Sequence, residues 1–220
     1  MFKVIVQIIT QDQSQYIEQM IEATKGFERI WVADRCIDDT VNKLQNLKEN
    51  VIVNAEGEGF LAGKMRDLGL DYVLSKDYDI VVMFDGDRIP KNLSLELIEE
   101  EMKNRDCSLA YCEKDVRKKY FELIHMPAYK NLITAGIIIK TSFLKKVRKL
   151  SFMNNRCFYH EFDGKYGEED LFLGDCLHFL GAKINFSDLV VTGTIPSSTA
   201  FFNKTNVEIR EKMIEKLGFV

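Results

Sequence analysis

The sequence has no long apolar run, no CxxC spacing, no internal repeat and no low-complexity tract. The first absence excludes a membrane-spanning helix, which needs about 20 consecutive apolar residues. The opening stretch MFKVIVQIITQDQSQYI turns polar too early for the apolar region of a signal peptide. The second absence argues against a structural zinc site. Cys36, Cys107, Cys112, Cys157 and Cys176 are scattered and odd in number, as expected of reduced thiols in a cytoplasmic, soluble protein. Excess positive charge is missing too: a net charge of −4 gives no overall attraction to nucleic acid or to an anionic membrane. With no Pro/Gly/Ser-rich linker either, a single domain spanning 1–220 is expected.

What is present suits an α/β protein. At 220 residues and 46% hydrophobic, the chain can bury a sizeable core. Strand-like and helix-like segments alternate in the first half, with strands over 4–10, 29–33, 51–54 and 80–84 and helices over 14–24, 39–47 and 60–75. Such alternation predicts right-handed βαβ units, a mostly parallel sheet and helices on both faces. Further on, the pattern predicts helices over 94–102, 142–150 and 168–180, the last stopped by Gly181, and strands over 108–112 and 131–140. Trp31 alternates with apolar neighbours and is expected in the core.

Three acidic motifs stand out. In YDIVVMFDGDRIP, residues 78–90, an apolar run ends in Asp85-Gly86-Asp87. Two carboxylates one residue apart at the carboxyl end of a buried strand are hard oxygen ligands suited to Mn²⁺ or Mg²⁺ beside a diphosphate. Gly86 between them leaves room for close approach, although Asp and Gly also make ordinary turns. Asp34 ends the second strand, placed to accept a hydrogen bond from a base or ribose, while Asp38 and Asp39 suit the start of the next helix. The third motif is Tyr166-Gly167-Glu168-Glu169-Asp170 at the start of a helix, where acids are favoured in any case.

In this order and at these separations, Asp34, Asp85-Gly86-Asp87 and Glu169-Asp170 resemble the motifs of GT-A fold glycosyltransferases, most of all the inverting family-2-like group. The resemblance runs from Val4 to about Val191 and implies a Rossmann-like nucleotide-binding half (about 1–90), an acceptor half (about 91–195) and a C-terminal loop and helix (196–220). It implies a nucleotide-sugar donor, uridine diphosphate in type, with Asp34 on the base. Asp87 would bind the metal, Asp85 the ribose or the metal's shell, and Lys64 and Arg66 would face the nucleotide. Asp170 would be the general base, with Glu169 raising its proton affinity and Glu168 as the competing candidate.

The chain departs from the pattern late. No histidine follows His178, and Val190-Val191-Thr192-Gly193-Thr194 stands where a further metal ligand is expected. His160 is placed to meet acceptor or phosphate, and the aromatic segment with His125 and Tyr129 to stack on acceptor. The acceptor implied is a saccharide or glycoconjugate. Two basic clusters, Lys114 with Arg117-Lys118-Lys119 and Lys140 with Lys145-Lys146, Arg148 and Lys149, also admit a hydroxylated base in DNA. The loop over 196–206 would close over donor or simply connect elements. A nucleotidyltransferase is the alternative enzyme, disfavoured because Thr10-Gln11-Asp12-Gln13-Ser14 lacks the glycines of its phosphate loop. A non-catalytic nucleotide- or partner-binding protein is the third reading.

Overall fold

Aliphatic residues occupy both faces of the early strands, and such segments are stable only in a sheet covered on both sides. The computed structural model, which describes residues 1–57, 62–112, 136–160, 169–193 and 204–218, places them in one. Its strands are β1 (Val4–Thr10), β2 (Glu28–Asp34), β3 (Val51–Asn54), β4 (Ile80–Asp85), β5 (Cys107–Cys112), β6 (Gly136–Lys140) and β7 (Ile184–Val191). They form a seven-stranded sheet in the order β3-β2-β1-β4-β6-β5-β7. All pairs are parallel except β4–β6 and β5–β6.

Side chains alternate across this sheet and define two cores. Val81 and Met83 of β4 pack on one face with Ile5, Ile30, Ile137 and Ile139, under α3 (Ala62–Ser75), α5 (Thr141–Arg148), α6 (Glu169–Phe179) and α7 (Lys204–Lys216). Ile80, Val82 and Phe84 pack on the other with Val6, Ile8, Trp31 and Ile138, under α1 (Ile17–Ala23), α2 (Thr40–Asn46) and α4 (Leu95–Lys103). Each fully buried aliphatic or aromatic side chain contributes roughly 1.5–3 kcal/mol through removal from water. Trp31 is in the core as expected, with its indole N–H donating to Glu49 Oε2 at 3.0 Å.

Several boundaries move for identifiable reasons. The helix expected over 14–24 opens with a 3-10 turn at Ser14–Tyr16 before α1. Ser94 caps α4 by accepting from the Leu97 amide at 3.1 Å. The expected stop at Gly181 has φ +76°, with the Gly181 and Ala182 amides closing on His178 and Leu177 carbonyls. β7 escapes the sequence pattern because it is an edge strand in which Asn185 and Asp188 are exposed and the first buried residue is the polar Ser187. Of the strand expected over 131–140, β6 accounts for Gly136–Lys140; residues 131–135 lie outside the described part. No helix among the described residues is long and apolar enough to cross a membrane, and Cys36, Cys107, Cys157 and Cys176 are free thiols.

Candidate active site

Parallel pairing brings the carboxyl ends of β1, β2, β3 and β4 to one edge: Ile9 lies opposite Asp85, Thr10 opposite Ala33, and Asp34 opposite Asn54. The sheet therefore delivers both upstream acidic motifs to the place where open α/β sheets bind ligands. After β4 the chain turns tightly, with the Gly86 amide donating to Ile9 carbonyl at 2.8 Å and the Arg88 amide to Asp85 carbonyl at 2.9 Å. Gly86 is required here, but for a different neighbour than expected. A Cβ on it would collide with Gln13 Oε1 and sit 2.9 Å from Thr10 Oγ1, so the close approach is made by side chains of the β1 strand end and loop.

Asp85 stands at the centre of the charges. Burial raises its pKa, the Arg66 guanidinium lowers it, the carboxylates of Asp170 and Asp87 raise it, and Arg88 lowers it; the net direction is up. Its side chain keeps 33% of its surface open to solvent. Asp85 from β4 and Asp170 from the first turn of α6 thus come within electrostatic reach of each other, although 85 positions separate them in sequence (170 − 85). Glu169 beside Asp170 is buried. Glu168, His125 and Tyr129 lie outside the described residues.

α3 supplies the supports. Arg66 is buried and donates from Nη2 to Asp85 Oδ1 at 2.8 Å, its guanidinium carbon 5.7 Å from the ring centre of Phe158. In this position Arg66 holds the carboxylate. Lys64, one half-turn earlier, is partly exposed on the same helix. The next residue after Arg66, Asp67, faces the other half. Its carboxylate accepts from the Cys157 amide (2.8 Å) and the Phe158 amide (3.1 Å) and bonds His160 Nε2 (2.8 Å). Arg148 stands 3.7 Å from Asp67, donates to Asp71 at 2.6 Å and reaches Cys157 Sγ at 3.2 Å. His160, expected to meet acceptor or phosphate, is engaged by Asp67 and keeps 19% of its side chain exposed. α3 can approach β1 this closely because residue 69 is glycine: a Cβ there would collide with the Gln7 amide, whose Nε2 donates to Arg66 carbonyl at 2.7 Å.

Asp34 is at the end of β2 as expected, and it is occupied by protein groups. Arg35 grips it with a two-pronged contact, Nε to Oδ1 at 3.0 Å and Nη2 to Oδ2 at 2.6 Å, and Asn54 Nδ2 adds 2.8 Å to Oδ1. Arg35 holds φ +45°, and its bond to Asp34 raises its pKa further. Sequence reasoning missed Arg35, Asn54, Asp67 and Arg88 as members of the site. Arg88 adjoins the acidic pair and Asp67 adjoins Arg66, so proximity in sequence was the available signal for both.

The donor chemistry of the strand ends fits a divalent cation. Asp85 and Asp87 offer hard oxygens one residue apart, and the upward pressure on Asp85 from two other carboxylates is what a cation would relieve. At the end of β7, where a further ligand was expected, Thr192 and Gly193 pack against the turn that carries Asp87. A second acidic group, Asp12, Cys36 and Asp38, brings ligand atoms within 4.8 Å of one another on the surface. There Asp12 Oδ1 already binds the Ile37 and Asp38 amides, so that cluster is accounted for as loop structure.

No family model matches the sequence, and no curated protein is significantly similar to it. Solved structures are similar in abundance, with 252 matching chains. S. aureus TarS 1-349, in complex with UDP-GlcNAc, superposes with a TM-score of 0.70 at 18% identity, over 98% of this chain and 66% of that one. The mannosyltransferase PcManGT from Pyrobaculum calidifontis, with GDP-Man and Mn²⁺, gives 0.62 at 13% identity, over 96% of this chain and 61% of that one. Glucosyl-3-phosphoglycerate synthase from Mycobacterium tuberculosis, with Mg²⁺ and UDP, gives 0.64 at 13% identity, over 100% and 80%. The chain spans 66% of TarS 1-349 and 39% of a longer TarS chain. At this level of identity the likeness concerns architecture, and the architecture these strands and helices share with those structures is the GT-A fold.

Proposed function

We propose that this chain is a glycosyltransferase that moves a sugar from a nucleoside-diphosphate donor to an acceptor hydroxyl with inversion, using Asp170 as general base. The observation that carries this reading is that Asp85, at the carboxyl end of β4, lies within electrostatic reach of Asp170 in the first turn of α6. Support also comes from the similar structures, whose bound molecules are UDP-GlcNAc, GDP-Man with Mn²⁺, and UDP with Mg²⁺.

Asp85 and Asp87 would hold Mn²⁺ or Mg²⁺, and a divalent ion bound there neutralises charge that grows on the departing diphosphate. Arg66 keeps Asp85 oriented. Asp34 meets the base, uracil in our proposal, once Arg35 turns aside. Asp170 takes the proton of the acceptor hydroxyl as the new bond forms at the anomeric carbon, with buried Glu169 beside it. Direct displacement requires no covalent sugar–protein intermediate. The strands through β4 form the donor half, and residues from about 91 to 195 form the acceptor half, which would receive a saccharide or glycoconjugate hydroxyl.

The test is nucleotide release from UDP- and GDP-sugars with Mn²⁺ or Mg²⁺, alongside direct measurement of nucleotide binding. Asp170→Asn should lower turnover by about 10²–10⁴-fold while leaving the nucleotide Kd nearly unchanged. Wild-type turnover in that variant removes the base assignment, and absence of nucleotide binding by the wild type removes the transferase reading.

A further inference from the structure

Arg88 follows Asp87 directly, and the end of β7 locks its backbone in place. Thr192 Oγ1 accepts from the Ile89 amide at 2.9 Å and lies 3.4 Å from Asp87 carbonyl; the Thr192 amide returns a bond to Ile89 carbonyl at 2.9 Å. Pro90 makes an isolated antiparallel bridge with Val191 alongside. The side chain then lies over Gly193, which has φ +95°, and any Cβ on that residue would collide with Arg88 Nη1. Gly193 therefore opens a slot for a guanidinium beside the acidic pair. The ion pair within that slot is loose. Arg88 Nε stands 3.5 Å from Asp87 Oδ1 and is buried without a hydrogen-bond partner, and 16% of the side chain is exposed. A buried N–H donor left without an acceptor is costly, and a ligand that supplies the acceptor offsets that cost.

We propose that Arg88 is a donor-binding residue whose guanidinium binds the diphosphate, so that protein-borne charge shares the neutralisation of the leaving group with the cation at Asp85 and Asp87. The proposal rests on the glycosyltransferase reading and adds to it a diphosphate contact on this chain's own turn. Guanidinium suits the task because its N–H groups match phosphate oxygens in pairs. A fixed positive charge at this place has opposite effects on two ligands. It attracts diphosphate and repels a divalent cation, which gives Arg88 a signature that a purely structural role lacks.

Calorimetric titration of wild type, Arg88→Gln and Arg88→Lys separates the possibilities, with UDP, GDP and inorganic pyrophosphate in EDTA as one set of probes and Mn²⁺ alone as the other. In EDTA, Arg88→Gln should bind the diphosphates at least about ten-fold more weakly, the loss expected for a charge-assisted contact. Arg88→Lys should fall between, and Mn²⁺ alone should bind Arg88→Gln more tightly than wild type. Unchanged diphosphate affinity in a folded Arg88→Gln overturns the proposal while leaving the transferase reading intact. Parallel loss of Mn²⁺ and diphosphate affinity also overturns it, because Arg88 would then merely hold Asp87. Should Arg88→Gln fail to fold, Arg88→Lys alone decides, since wild-type diphosphate binding in EDTA by that variant excludes a paired guanidinium contact. If wild type binds none of the diphosphates with or without Mn²⁺, the transferase reading falls and this proposal with it.

Discussion

Asp38 shows how a single carboxylate ties the site's loops together. Its Oδ1 accepts from the Thr40 amide at 2.9 Å, at the start of α2, and its Oδ2 accepts from the Ser14 amide at 3.0 Å, in the loop after β1. Burial alone would raise its pKa, but the bonds from Thr40 and Ser14 outweigh that and bring it from 3.8 to about 2. Because the folded value is depressed, the unfolded chain takes up the proton first as pH falls. The stabilisation is complete above the ordinary value of 3.8 and disappears as pH falls through about 2. Thermal midpoints of wild type and Asp38→Asn should therefore differ at neutral pH and converge across that acid window. A constant gap would assign the difference to something other than titration.

The acids themselves were legible in the sequence because each stands where an apolar pattern breaks: Asp34 and Asp85 end strands, and Asp170 starts a helix. Their partners were not. Asp67 reaches Cys157 across 90 positions and His160 across 93, and no local pattern encodes a contact of that span. Arg35 adjoins Asp34 in sequence, yet its grip depends on a left-handed backbone at residue 35 that composition does not announce.

At the scale of elements, β1 to β4 were readable because burial on both faces leaves continuous apolar runs. β7 was not, since its buried Ser187 side chain and the Asp188 amide are satisfied only in three dimensions. Buried Glu101 on α4 is what satisfies them: Ser187 Oγ donates at 3.0 Å, the Asp188 amide at 2.9 Å and Ser108 Oγ of β5 at 3.0 Å, with Arg105 paired alongside. This carboxylate joins α4, β5 and β7 and thereby fixes the edge strand that leads into Thr192. Glu101→Leu strands two hydroxyls and an amide, while Arg105 keeps its bond to the Phe186 carbonyl at 3.0 Å, and should lower stability by about 3 kcal/mol in urea unfolding. A loss below about 1 kcal/mol would show that those groups find other partners. Strand direction was also beyond the sequence pattern, because β6 reads as an apolar run whether it lies parallel or antiparallel to β4.

Across the whole molecule, one sheet runs without interruption through both proposed halves, and β4 hydrogen-bonds β1 on one side and β6 on the other. Such continuity predicts cooperative unfolding despite the length of the chain. Trp31, the chain's one tryptophan, reports on β2 alone, whereas far-ultraviolet circular dichroism reports on every element. Their urea transitions should coincide. An earlier fluorescence transition would mean that the first four strands and their helices melt as a separate unit.

Arg66 and Asp67 are neighbours on one helix, yet the first grips the diphosphate-side carboxylate and the second the segment that leads towards the proposed base. Successive helical residues point about 100° apart, and their spacing along the axis is fixed at about 1.5 Å. α3 therefore serves as a gauge block between Asp85 and the segment at Cys157 and Phe158: in the proposed reaction, the gap a sugar would cross is machined into one turn of backbone. Loops on either side can lengthen or shorten without altering that spacing, so the gauge sets a tolerance that the helix alone defines.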